Sequence, residues 1–207
     1  MPEEKLKIVQ LFKEIQEGNK AAFDELFFLY YNKLLSFAGQ YIKQQESAEE
    51  LTSELFVKLW LKRNELSKVI KPEVYLYVAI KNACLNLIRS ERKRYLLFAA
   101  WPDEQLFKEP SDKNAVGIDH KELAQLLELA VMELPEQRRI IFRLIKEQGL
   151  KTNAVAEILG ISVRTVENQL YKAVKTIANA ISGYLGYHPQ VKVLRKQVVS
   201  DLSLFFL

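Results

Sequence analysis

Residues 152–177, TNAVAEILGISVRTVENQLYKAVKTI, hold the densest set of side chains able to read a polar template. Wound as a helix from about 163, this segment turns Val166, Leu170 and Ile177 to one side and Arg164, Thr165, Glu167, Asn168, Tyr171, Lys172 and Lys175 away from them. Arginine and asparagine can bond in bidentate fashion to guanine and adenine edges, while Lys172 and Lys175 suit phosphates. Glu167 fits two roles, repelling phosphate or accepting from a cytosine amine. A helix carrying Ala156 and Leu159 must precede it, followed by the turn Gly160-Ile161-Ser162. Gly160 can take the left-handed conformation that ends one helix, and Ser162 can cap the next. This is the arrangement of a helix-turn-helix, whose second helix enters the major groove of duplex DNA. A helical hairpin with a merely solvated polar face has the same period, but the turn chemistry and spacing favour DNA.

A second group lies at 72–94. Leu76, Ile80, Ala83 and Leu87 make an apolar stripe, and Asn82, Asn86, Arg89 and Lys93 line another side. The run RSERKR places Arg89, Arg92, Lys93 and Arg94 close together, and Tyr75 and Tyr77 stand near the helix start. Amides for bases, aromatics for stacking and clustered cations for phosphate are what a binder of single-stranded or melted DNA needs. A charge run alone is usually a solvated helix end; the combination points the other way. A third group is SAEELTSELFVKLWL, 47–61, with Glu49, Glu50 and Glu54 beside Phe56 and Trp60. Those aromatics fit either a protein-binding face or the completion of a core.

The elements that must carry these groups are helical throughout. The chain has 207 residues with only 7 glycines and 6 prolines, which argues against a sandwich of short strands joined by many turns. A first helix is expected over 3–16, with Leu6, Val9 and Ile15 inward and Gly18-Asn19 as its stop. A second runs from Lys20 to about Tyr41 on Phe23, Leu26, Phe27, Tyr30, Leu34 and Phe37. Ser47 with Glu50 reads as a capping box opening the third, whose stripe is Ala48, Leu51, Leu55 and Leu59. The basic connection 62–71 leads to Pro72, suited to a first helical turn.

Residues 98–118 lose all period and read as a linker, with Trp101 and Phe107 unusual for a free tether. Helices at about 119–133, 135–148, 151–159 and 163–183 follow, separated by Pro135, Gly149 and Gly160. The expected architecture is all-α, with two helical domains at 1–95 and 119–183, a linker at 96–118 and a hydrophobic tail at 184–207.

Both halves, in this order, resemble the extracytoplasmic-function (ECF) group of sigma-70-type RNA polymerase sigma factors. AFDELFFLYYNKLL, AEELTSELFVKLW and YLYVAIKNACLNLIR are similar to region 2 of that family. LPEQRRIIFRLIKEQGL and AEILGISVRTVENQL are similar to region 4, and the likeness spans about 20–94 and 123–180. VENQLYKA and YVAIKNACLN are especially similar to members from Bacteroidetes-type bacteria.

The resemblance implies that helix 47–61 holds the clamp helices of the largest polymerase subunit, through Glu50, Ser53, Glu54 and Lys58. It implies that loop 62–71 and helix 72–94 capture the −10 promoter element. A flipped base would sit in the loop, with strand contacts from Asn82, Asn86, Arg89, Arg92 and Lys93. Helix 163–178 would read the −35 element with Arg164, Thr165, Asn168, Tyr171 and Lys172, and the helices before it would meet the flap of the second-largest subunit. Regulation by an anti-sigma factor and a monomeric free state are further implications. Three departures stand out: Thr52-Ser53 where Val-Gln is commoner, Thr152-Asn153-Ala154 where an aromatic and acidic stretch is usual, and Tyr75 where tryptophan is common.

Composition limits the rivals. The formal charge of +4 is too small to argue for nucleic acid by itself, so its placement carries the weight. Cys84 is alone and cannot form an internal disulfide. The start, MPEEKLKIVQ, has no signal-peptide pattern, and no run of about 18 uncharged apolar residues occurs. A cytoplasmic protein that is not inserted in a membrane is expected. His120, His188 and Cys84 have no metal-ligand spacing and no phosphate-binding glycine loop appears, so neither a metal, a cofactor nor a catalytic residue is expected, and the chain is not read as an enzyme. A conventional repressor or activator would share the helix-turn-helix, but would need no polymerase-binding face.

Overall fold

The computed structural model describes residues 2–98 and 120–182. The linker residues Trp101 and Phe107, His188 and the tail 184–207 lie outside them. Among the described residues there are α-helices and one 3-10 helix, and no strand. They group into two compact units, one holding 1–96 with 153–162, the other the remainder.

In the first unit, α1 (Pro2–Gln16), α2 (Lys20–Ala38), α3 (Gln45–Leu61), the 3-10 helix Arg63–Lys68 and α4 (Pro72–Phe98) follow one another. The α1–α2 corner is made by two adjacent residues. Gly18 sits at φ 88°, a left-handed conformation open to glycine. It lets the Asn19 N–H reach the Glu14 carbonyl at 3.0 Å while the Gly18 N–H reaches that of Ile15 at 2.9 Å, a Schellman closure. Asn19 then caps α2, its Oδ1 accepting from the N–H groups of Ala21 and Ala22 at 3.0 and 3.3 Å. Replacing Asn19 by alanine should cost ~1 kcal/mol. A lowered urea midpoint with an unchanged m-value checks this.

The core of this unit is drawn from every helix: Ile8, Leu11, Phe12 and Ile15 of α1, Leu26, Leu34 and Phe37 of α2, Leu55, Phe56 and Leu59 of α3, and Leu76, Tyr77, Ile80 and Cys84 of α4. Each such large apolar side chain contributes ~1.5–3 kcal/mol on burial. The structure departs from expectation at three places. Leu6 and Val9 are exposed, and Ile8, Leu11 and Phe12 take the inward positions with Ile15; the true face runs at i, i+3, i+4 and i+7 from Ile8. The capping box at Ser47–Glu50 does not form. Helix α3 begins at Gln45, with the cap at Gln44, three residues before Ser47, and no side-chain cap bond, so Ser47 already lies inside the first turn. The connection 62–71 is also less open than a loop, since 63–68 wind as a 3-10 helix that buries Leu66. Helix α7 (Thr152–Leu159) groups with this unit, where Glu157 pairs with Lys71 at 2.5 Å.

The second unit contains α5 (His120–Met132), α6 (Glu136–Lys146) and α8 (Val163–Ser182). Ala130, Val131, Leu134, Phe142, Ala173 and Ile177 form its core, flanked by Leu127, Leu170 and Val174. Arg143 of α6 ties this packing to α5 by pairing with Glu128, and lies 3.8 Å from Glu147. Burial raises the Glu147 carboxyl pKa and the nearby Glu128 adds to the rise, while Arg143 opposes it.

Candidate nucleic-acid and protein interfaces

Helix α8 sorts its residues sharply. Val166, Ala173, Ile177 and Ile181 are buried, whereas Arg164, Asn168, Tyr171, Lys172 and Lys175 are exposed and Thr165 is half-buried. Tyr171 is 67% exposed, far more than a packing role requires. The register of this face is held by α6, because Arg138 Nε donates to Gln169 Oε1 at 3.2 Å. Upstream, Gly160 adopts φ 71°, and the Ile161 N–H reaches the Ala156 carbonyl at 3.0 Å. Helix α7 therefore stops after Leu159, and α8 starts at Val163 after three intervening residues. The exposed face carries three cations and one carboxylate, Glu167.

Helix α4 shows the same division. Leu76, Tyr77, Ile80 and Cys84 are buried, and Ala83 and Leu87 are half-buried. Asn82, Asn86, Arg89, Arg92 and Lys93 are all exposed, with Arg89 Nη1 3.5 Å from Asn86 Oδ1. Two aromatic rings near the helix start part company. Tyr75 is 40% exposed, whereas Tyr77 is fully buried against Phe37, ring centroids 5.3 Å apart. Tyr77 is therefore a core residue and not a stacking surface; burial, with Glu73 nearby, pushes its phenol pKa up. The Cys84 thiol is pushed up by burial to about 11. It should resist alkylation at pH 8 in the folded protein and react on unfolding, as timed thiol labelling would read.

Helix α3 presents Glu50, Ser53, Glu54 and Lys58 to solvent. Glu54 and Lys58 pair one turn apart. Val57 and Leu61, 57% and 70% exposed, join them. The two aromatics of α3 divide. Phe56 is buried, edge-on to Phe27 at 4.9 Å. Trp60 is half-exposed, packed on Phe23 at 5.1 Å and covered by the Arg63 guanidinium 4.9 Å from its ring centroid. Arg63 also donates to the Trp60 carbonyl at 3.1 Å. Thr52 is buried and donates its hydroxyl to the Ala48 carbonyl at 2.7 Å. It thereby fills a valine-shaped space with its polar atom satisfied, so only Ser53 of the Thr52-Ser53 departure lies on the exposed face.

Val57, Leu61, Arg63 and the 90% exposed Ile70 are not among the site residues expected from the sequence. The first two were readable from the helical phase of α3, four residues apart beside Glu54 and Lys58. Arg63 and Ile70 carry no periodic signal. Among the described residues no helix is long and apolar enough to cross a membrane, and no group of three or more His, Cys, Asp or Glu could hold a metal.

These arrangements match two family models in chain order. Residues 26–94 match sigma-70 region 2, and residues 117–177 match sigma-70 region 4. Together they span more than half of the chain, which belongs to the sigma-70 family of RNA polymerase sigma factors, in its ECF group. Among its relatives, the RNA polymerase sigma-H factor of Pseudomonas aeruginosa is 24% identical over 85% of this chain and 94% of its own length. The ECF sigma factor SigW of Bacillus subtilis is 22% identical over 81% and 92%.

Solved structures share the fold. The sigma factor RpoE from Bartonella quintana, in complex with the anti-sigma factor NepR, has a TM-score of 0.53 at 18% identity, over 77% of this chain and 96% of that one. CnrH, in complex with the cytosolic domain of CnrY, has a TM-score of 0.54 at 16% identity, over 86% and 98%.

Proposed function

We propose that this chain joins core RNA polymerase in the cytoplasm and directs it to promoters, α8 reading the −35 element and α4 with 62–71 capturing the −10 strand. The observation that carries this reading is the pairing of two exposed polar faces, on α4 and α8, each backed by its own buried stripe. Arg164, Thr165, Asn168 and Tyr171 meet base edges, with Lys172 on phosphate. Asn82, Asn86 and Arg89 follow the melted strand, and Arg92 and Lys93 neutralise its phosphates. Glu50, Ser53, Glu54 and Lys58 of α3 meet the clamp helices of the largest subunit, and the helices before α8 meet the flap.

The chain contributes binding free energy and no bond chemistry. Unpairing a base costs a few kcal/mol, which preferential binding of the unstacked strand offsets. Joining two readers raises the effective concentration of the second once the first is bound, so neither need bind tightly alone. In this division of labour, 1–95 binds polymerase and the −10 element and 119–183 binds the −35 element. An anti-sigma factor that covers these faces would hold the chain inactive; one structural neighbour, RpoE, is itself in complex with an anti-sigma factor, NepR.

Run-off transcription with purified chain and core polymerase over a panel of promoters tests the reading. The expected result is a set of specific transcripts that require the chain. A chain that shifts duplex DNA but neither joins polymerase nor yields a transcript would be a conventional regulator. Within this reading, Asn82→Ala with Asn86→Ala should slow opening of duplex promoters more than tenfold. Permanganate reactivity of −10 thymines checks this.

A further inference from the structure

Helix α1 precedes the residues matched by region 2, yet it is among the best-packed elements of the first unit. Ile8, Leu11, Phe12 and Ile15 are 0–3% exposed, and Lys7 pairs with Glu25 of α2 at 2.5 Å. Its buried face does more than complete a core. It packs along the 3-10 helix 63–68, where Leu66 is buried. The Phe12 ring also meets Tyr75 edge-on, centroids 6.4 Å apart and planes at 86°. Helix α1 therefore touches both ends of the short segment between Leu66 and Tyr75. Within that segment Ile70 is 90% exposed, and Tyr75 keeps 40% of its surface open while its neighbours Val74 and Leu76 are buried. A half-open ring braced from behind by a buried one is suited to stack on an unpaired base, because its orientation is set before the base arrives.

We propose that Phe12 is a positioning residue for promoter opening: it fixes the Tyr75 ring on which an unpaired −10 base stacks, and α1 holds the base-reading segment in place. This rests on the reading above that 62–71 and α4 capture the −10 strand. Phe12 touches no DNA and acts through Tyr75.

The test uses holoenzyme assembled from core polymerase and the full chain, on duplex promoter carrying 2-aminopurine in the non-template −10 strand. Phe12→Leu keeps an apolar side chain and removes the ring edge. Ile15→Val thins the same buried face of α1 without touching Tyr75. The expected result is a roughly two- to tenfold slower fluorescence rise for Phe12→Leu, the range that loss of one aromatic pair implies. Ile15→Val should open at the parental rate, and core-polymerase affinity should be unchanged in both. Tyr75→Leu should be slower still, and adding Phe12→Leu to it should cost little more, since the two changes share one path.

A parental rate for Phe12→Leu, full additivity with Tyr75→Leu, or equal slowing by Ile15→Val would overturn the proposal. A parental rate for Tyr75→Leu itself would remove the −10 reading beneath it, a failure separable from that of the positioning role.

Discussion

Replacing Arg164 and Asn168 together by alanine should abolish recognition of the −35 element while leaving the protein folded. Both side chains are exposed on α8, and the helix is held by Val166, Ala173, Ile177 and Ile181 on its opposite side. Each good bidentate base contact is worth about 1–3 kcal/mol of discrimination, so the pair should cost roughly 30-fold to 20,000-fold in promoter-specific affinity. The melting temperature should move by less than about 2 °C, since exposed substitutions without special partners change stability little. Lys172→Ala should behave differently, weakening every DNA sequence alike and lowering the salt slope by about one. Fluorescence anisotropy of holoenzyme on matched and scrambled −35 sequences, across a salt series, separates the two kinds of loss. Equal loss on both sequences for the Arg164–Asn168 double change would remove α8 as the base reader.

The second large effect is expected on α3. Reversing charge at Glu50 and Glu54, both to lysine, should reduce assembly with core polymerase by more than a hundredfold. Placing like charge against a complementary surface costs several kcal/mol. Within the chain the same change is mild: Glu54 loses an exposed pair with Lys58, worth only a few tenths of a kcal/mol on a helix. The face also contains Val57 and Leu61, and exposed apolar side chains ringed by charge are a common anatomy of protein interfaces. Val57→Asp should therefore impair assembly without touching DNA reading. Native gel or size-exclusion assembly with core polymerase, beside circular dichroism of the free chain, would measure this. Intact assembly of the double-lysine variant would move the polymerase-binding face elsewhere.

Much of this molecule was present in its amino-acid sequence because its helices are strongly punctuated. Gly18-Asn19, Pro72, Pro135, Gly149 and Gly160 act through backbone conformations that depend on nothing distant, and each helix boundary beside them falls within a residue or two of expectation. The polar faces of α4 and α8 were legible for a related reason. Surface residues are chosen free of packing, so Asn82, Asn86 and Arg89, or Arg164, Asn168 and Lys172, keep their helical spacing visible.

What tertiary structure alone decided are the places where one helix has two plausible inward faces. Helix α1 could bury Leu6 and Val9 or Ile8 and Phe12, and the choice depends on the surface offered by α2 and the 3-10 helix. Tyr75 and Tyr77 look alike in sequence, yet one stays half-open and the other is sealed against Phe37, because two residues along a helix is about half a turn. Phe56 and Trp60 divide in the same way under the aromatic packing of Phe23 and Phe27. Where glycine, proline and Asn19 punctuate the chain, local chemistry determined the helix boundaries; which side of each helix meets the core is a property of its neighbours, and that side decides which residues remain free to bind.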